Sequence, residues 1–314
     1  MVSYRRKQGS TAQTKFCNRY LLPVFGKPDV DGNYTLVVCE KPSIAFMAHH
    51  DTVHKHDGRD KPEVLDDFVV SGSQDVLGAD CTTGIFLILR MIQANVPGVY
   101  VVHAAEEIGC IGSRALAKSN PYWLTHVKAA ISLDRKGYDS VITHQLDERT
   151  CSDAFGRSLA DILDMDFKLD DTGVYTDSNE YAGIIPECTN LSVGYFKQHT
   201  VNEHQDWVFM MALGDALVSA DWSKLVIERN PAIREYTRYT RGWGSFDDYE
   251  YDWAPYVDEK PSKAKGIRTG YLEGIEEIVQ KYPLQVAKLL DDMGYSPDGL
   301  LDDVSDYLSR QRYY

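Results

Sequence analysis

The sequence predicts an α/β fold in which a mostly parallel mixed sheet is sandwiched by helices, with a small C-terminal helical appendage. Three observations carry that expectation. Between Asn33 and about Tyr195, short β-branched runs alternate with helix-like stretches. The longer stretches place apolar residues at helical spacing, and polar residues cluster where the strand candidates end.

Taken in chain order, the strand candidates are Tyr34–Cys39, Ser43–His49, Val99–Ala104, Ala129–Asp134, Asp139–Thr143 and Thr189–Tyr195. The helix candidates between and after them are Thr82–Asn95, Cys110–Lys118, Ser152–Leu163 and Asn202–Ser219. In the first helix Ile85, Ile88, Leu89 and Ile92 fall at i, i+3, i+4 and i+7, a wide apolar face that should pack on the sheet. Ligands of open α/β sheets sit beyond the carboxyl ends of the strands, where His49, Ala104–Glu107, Asp134 and Tyr195–His199 would emerge.

The main domain is expected over residues 1–230. After it, Tyr236 to Tyr256 holds eight aromatics among Gly and Asp with no clear period, so residues 231–265 read as an irregular aromatic segment. Residues 266–314 read as a small helical unit, with stripes at Leu272, Ile275, Val279, Tyr282 and at Val286, Leu289, Leu290, Met293. A third helix begins at Ser296-Pro297-Asp298, an N-cap followed by proline at the first helical position. Exposed aromatics favour interfaces, so residues 231–314 are a candidate surface for a protein partner.

At 314 residues, 43% hydrophobic and 25% charged, the chain can bury a sizeable core. A formal charge of −14 argues against nucleic acid as a partner. No run of about 18 apolar residues suggests a membrane span, and Met1 to Thr14 is polar and basic, so no membrane and a cytoplasmic location are expected. Six scattered cysteines without a C-x-x-C pair fit free thiols in a reducing compartment.

Five clusters carry candidate chemistry. Ala48-His49-His50-Asp51-Thr52-Val53 follows an apolar strand, where His49 can meet a metal while Asp51 orients its ring. Leu77-Gly78-Ala79-Asp80 permits a tight turn before a helix, and the two oxygens of Asp80 can bridge two cations. His103-Ala104-Ala105-Glu106-Glu107-Ile108-Gly109 ends another strand; side chains on an extended backbone point to opposite sides, so one acid can ligate and the other act as general base. Ser132-Leu133-Asp134 and His199-Thr200-Val201-Asn202-Glu203 each supply one further ligand candidate. His50, His54 and His56 crowd the first cluster, and a solvated loop explains them better than a larger metal site.

These residues, in this order, resemble the co-catalytic zinc exopeptidases, the family of bacterial leucyl aminopeptidases, peptidase T and succinyl-diaminopimelate desuccinylase, over roughly Lys15 to Leu217. The resemblance implies two divalent metal ions, zinc by family expectation, although carboxylate-rich sites also accept Mn2+ or Co2+. It implies that His49, Asp80 and Asp134 hold one ion, and Asp80, Glu107 and His199 the other, with Asp80 shared. It further implies Glu106 as the catalytic base, Asp51 as the partner of His49, and a cis peptide bond between Asp80 and Cys81. Many relatives carry a second Asp where this chain has Cys81.

Only 65 positions separate Asp134 from His199, too few for the lid domain that desuccinylases and peptidase T insert there, so the single-domain aminopeptidase branch fits best. In that branch the segment holding Asp177, Glu180 and Tyr195 lines the substrate pocket; an acid there can hold a free amino group, and Tyr195 can donate to the oxyanion. The expected substrate is a peptide or an N-acyl amino acid. The expected activity is hydrolysis of the N-terminal peptide bond of short peptides. Alternatives are a deacylase or glutaminyl cyclase-like enzyme on the same centre, and a non-catalytic binding protein on a peptidase scaffold.

Overall fold

The computed structural model describes residues 1–236 and, beyond them, the helical positions Val279, Pro283, Val286, Ala287 and Leu290. Met1–Thr237 clusters as one unit and Arg238–Tyr314 as a second. The expected aromatic segment beyond Tyr236, and the helical appendage apart from those five positions, lie outside the described residues.

Eleven strands make up the two larger sheets of the first unit: β1 Tyr34–Val38, β2 Ile44–His49, β3 Glu63–Leu65, β4 Phe68–Val70, β5 Gly98–His103, β6 Ala129–Arg135, β7 Ser140–Ile142, β8 Lys168–Asp170, β9 Glu187–Ser192, β10 Tyr195–Phe196 and β11 His204–Asp206. The longer α-helices that accompany them are α1 Thr11–Phe16, α2 Ala79–Gln93, α3 Ile111–Ser119, α4 Asp153–Leu163 and α5 Trp207–Ser219. The main sheet runs β8-β7-β9-β6-β2-β5-β1. Its β8–β7, β9–β6, β6–β2 and β2–β5 pairs are parallel, while β7–β9 and β5–β1 are antiparallel, so the sheet is mixed and mostly parallel as expected.

The middle strands β2 and β5 are buried from end to end, which their continuous apolar runs Ile44–Ala48 and Val99–Val102 require. Two apolar clusters cover the two faces. One contains Phe46, Ile131 and the buried side of α2; the other contains Met47, Val101, Leu116 and Trp123. Along α2 the buried residues are Ile85, Leu87, Ile88 and Met91, with Leu89 and Ile92 half-buried, because the helix packs against α5 as well as the sheet. Gly84 permits the close approach: a Cβ there would stand 2.2 Å from the Leu133 carbonyl oxygen.

Three local differences from expectation have physical causes. Thr189–Tyr195 splits into β9 and β10 at Gly194, whose φ is +85°. The last helix begins at Trp207 rather than Asn202, because His204–Asp206 pairs with Phe68–Val70 in a separate sheet ordered β10-β11-β4-β3. Asp206 then caps α5, accepting from the Phe209 N–H at 2.8 Å. The N-terminal helix α1 was not expected; its Phe16 is fully buried.

Among the described residues, no helix is long and apolar enough to cross a membrane. All six cysteines are free thiols.

Candidate metal centre

Strand register brings the first ligands together. His49 pairs with His103 across β2 and β5, and Met47 pairs with Ser132 across β2 and β6, so His49, Asp134 and the turn after β5 meet at one rim. Glu106 and Glu107 do not continue β5. They lie in a turn that starts with Ala105 at φ +59°, so both acids face the site instead of opposite sides.

Asp80 is delivered from the other direction. Gly78 adopts φ +72° ahead of α2, where a Cβ would stand 2.7 Å from His54, and the chain takes helical dihedrals only after Cys81. The Asp80–Cys81 peptide bond is cis. His199, with φ +63°, sits on the loop between β10 and β11.

The six side chains converge. His49 Nε2 lies 3.0 Å from Asp80 Oδ1, 3.4 Å from Asp134 Oδ1 and 3.8 Å from Glu106 Oε2. His199 Nε2 lies 3.2 Å from Asp80 Oδ2 and 3.0 Å from Glu107 Oε2. The two oxygens of Asp80 thus face two different imidazoles. Asp51 stands behind: its Oδ1 is 3.4 Å from His49 Nδ1, and its carboxylate accepts from the Glu106 and Glu107 N–H groups at 3.1 Å each.

The electrostatics of this cluster call for cations. Among the described residues, the ion pairs of Asp51, Asp80, Glu106, Glu107 and Asp134 are all made with the two imidazoles. Burial alone would depress His49, but Asp134 and Glu106 raise it well above its ordinary value. Burial likewise opposes His199, yet its bonds to Asp80 and Glu107 push it up to about 11. Burial, with the charges of Asp134, Asp177 and Glu107, raises Glu106 well above the carboxylate range, and burial with Asp80 raises Glu107 to about 7. Asp80 is held low against burial by its bonds from His199 and His49.

A divalent metal fits these donors. His49, Asp80 and Glu107 offer ligand atoms within 4.8 Å of one another, as do His49, Cys81 and Asp134. Glu107 Oε1 is buried with no hydrogen-bond partner among the described residues, and imidazole with carboxylate suits zinc.

Supporting contacts arrive from further residues, of which only Glu203 stood in a cluster that the sequence signalled. Thr176 Oγ1 donates to Asp134 Oδ2 at 3.0 Å, and the Cys110 thiol donates to Glu106 Oε1 at 3.7 Å. Glu203 accepts from the Gly78 and Asp80 N–H groups at 2.8 and 3.1 Å. The N-terminal segment latches the His49 loop: the Arg6 N–H donates to Thr52 Oγ1 at 3.0 Å, and Arg6 Nε donates to the His50 carbonyl at 2.9 Å. His50 and His54 are accordingly buried rather than solvated, bonded to Gln13 and Thr52, and only His56 of that group is exposed.

The three expected substrate contacts are placed as follows. Asp177 is buried in the helical turn after Thr176, and burial raises its carboxyl well above the ordinary range. Glu180 Oε1 is held by Arg114 Nε at 2.9 Å and by the Tyr175 hydroxyl at 2.8 Å. The Tyr195 hydroxyl donates to the Asp134 carbonyl oxygen at 2.8 Å.

Residues 37–164 match the model of Peptidase family M28, a stretch that contains His49, Asp51, Asp80, Glu106, Glu107 and Asp134 and ends before His199. The fold is similar to that of aminopeptidase PepT from Bacillus cereus ATCC 10987, at 15% identity and TM-score 0.56 over 69% of this chain and 94% of that one. It is also similar to a tripeptidase from Staphylococcus aureus subsp. aureus Mu50, at 14% identity and TM-score 0.57 over 69% and 94%. A third similar structure, the dodecamer PhTET1-12s, gives 13% identity and TM-score 0.55 over 69% and 96%. At these identities the structural likeness speaks for the fold. No curated protein matches the chain.

Proposed function

We propose that this chain is a zinc-dependent peptidase of the M28 type, a reading that the match over residues 37–164 supports, and that it is an aminopeptidase using two divalent ions to hydrolyse the N-terminal peptide bond of short peptides. The observation that carries the reading is the sharing of Asp80. Its Oδ1 faces His49 and its Oδ2 faces His199, each flanked by a further acid, Asp134 or Glu107.

In this reading His49, Asp80 and Asp134 hold one ion, and Asp80, Glu107 and His199 the other. When bound, such ions lower the pKa of water toward neutrality and polarise the scissile carbonyl. Glu106 takes the proton from the attacking water and returns it to the leaving amine. Asp51 fixes the His49 ring through Nδ1 and holds the Glu106–Glu107 turn through two backbone bonds, so base and ligands move as one body.

For the substrate's amino group, Asp177 is a better partner than Glu180, which already faces Arg114 and Tyr175. Free thiols at all six cysteines support a reducing compartment such as the cytoplasm.

The test is release of N-terminal residues from a peptide library by the full chain, with and without a chelator, beside a metal count. Chelator-sensitive release with two ions per chain is the expected result. Cleavage confined to N-acyl amino acids would replace the aminopeptidase reading with a deacylase on the same centre, and a chain without metal or turnover would remove both.

A further inference from the structure

Two buried carboxylates in this centre spend their oxygens on backbone N–H groups. One is Asp51, which holds the Glu106–Glu107 turn. The other is Glu203, whose Oε2 accepts from Gly78 at 2.8 Å and whose Oε1 accepts from Asp80 at 3.1 Å. With both oxygens engaged, Glu203 is not placed as a ligand. Its position in the chain gives it another use: it follows His199 by four residues on the same loop, and it grips the turn that carries Asp80.

The grip joins two ligands of one half of the centre. A carboxylate that takes two N–H groups from one turn fixes the turn's direction, and charge-assisted bonds of this kind are the stronger ones. Glu203 is 2% exposed, so the bonds are shielded from water. The rest of the His199 loop is open to solvent: Lys197, Thr200, Val201 and Asn202 are exposed or half-exposed. His49 and Asp134, by contrast, stand on central strands that hold them without Glu203.

We propose that Glu203 is a positioning residue that sets the affinity of the ion held by Asp80, Glu107 and His199, by locking the His199 loop to the Asp80 turn. This inference rests on the two-ion reading above. Because Asp80 serves both ions but only one of them also has the strand-held His49 and Asp134, loosening Glu203 should weaken the His199-side ion more than the other.

The experiment uses the full chain and its Glu203→Gln variant, which keeps the side chain's size but offers one acceptor oxygen to two N–H donors. Stepwise zinc affinities are read by competition with a chromophoric chelator, metal content by atomic emission, and the folding of each metal-free protein by thermal unfolding. The expected variant binds the first ion only slightly more weakly than the parent and the second about 10–100-fold more weakly. Excess zinc should then restore kcat with KM unchanged, which general loosening of the fold would not allow. Unchanged affinities for both ions, or an equal fall in both, would overturn the proposal. If Glu203→Gln fails to fold, Glu203→Asp, which keeps the charge and shortens the reach, takes the same measurement with the same two outcomes. A parent chain that binds a single ion would instead overturn the two-ion reading itself.

Discussion

His49 ends a central strand with its side chain wholly buried, whereas His199 stands on a loop with 35% of its side chain exposed. Around His49 the partners come from regular structure: Asp134 from β6, its register fixed on both sides by β2 and β9. Around His199 they come from turns: Glu107 after β5, and Asp80 before the regular part of α2. Both halves share Asp80, so chemistry alone does not distinguish them. What distinguishes them is how much of the fold must open for a ligand to move, and exposed loops open at far lower cost than buried strands. The half built on strands should hold its ion through fluctuations that release the other.

Glu106 belongs to neither half, and its replacement should have the largest effect. Its Oε2 lies 3.8 Å from His49 Nε2, and its neighbour in the chain, Glu107, faces His199. Glu106→Gln keeps the shape and removes the proton acceptor, so kcat should fall roughly 10²–10⁴-fold while both ions remain bound. Steady-state kinetics beside a metal count checks this; a variant with near-normal kcat removes Glu106 as the base.

The halves themselves are separated by His49→Ala and His199→Ala. Removing His49 strands buried carboxylates without a counter-charge, a loss on the order of 3–5 kcal/mol for the metal-free protein. Removing His199, which stands on a loop with part of its ring in solvent, should cost less, although it too leaves the buried Glu107 carboxylate without its imidazole. Each variant should retain one ion, and the ion left in His199→Ala should be the slower to leave a chelator solution. Equal destabilisation and equal release rates in the two variants would erase the asymmetry.

The sequence made the strand half more legible than the loop half. Apolar runs ending in His49 and in Asp134 declare buried strands with a polar residue at the rim, and the structure places both strands within one residue of expectation. The Glu106–Glu107 pair was legible as chemistry but not as geometry, because the turn at Ala105 replaces the extended backbone that would have sent the acids apart. The three-residue strands β4 and β11 are too short to show an alternating pattern, so α5 was expected to begin five residues early. The supports were the least visible. Arg6 meets Thr52 across 46 positions, and Glu203 meets Gly78 across 125. Periodicity carries no signal at such separations; only the folded chain brings these groups together.

The finest test of the strand half is Thr176→Val. Thr176 is 2% exposed, and its hydroxyl donates to Asp134 Oδ2 at 3.0 Å, the oxygen that does not face His49. Valine keeps the volume and deletes the donor, leaving one carboxylate oxygen without that bond. A single hydrogen bond to a side chain still held by its strand is worth about 0.5–1.5 kcal/mol, so the affinity of the His49-side ion should fall by roughly ten-fold or less. The His199-side ion shares Asp80 but not Asp134, and its affinity should stay unchanged. Competition titration resolves the two steps. A fall confined to the second, weaker step would mean that Asp134 serves the loop half, and the division between strand-held and loop-held ions would have to be redrawn.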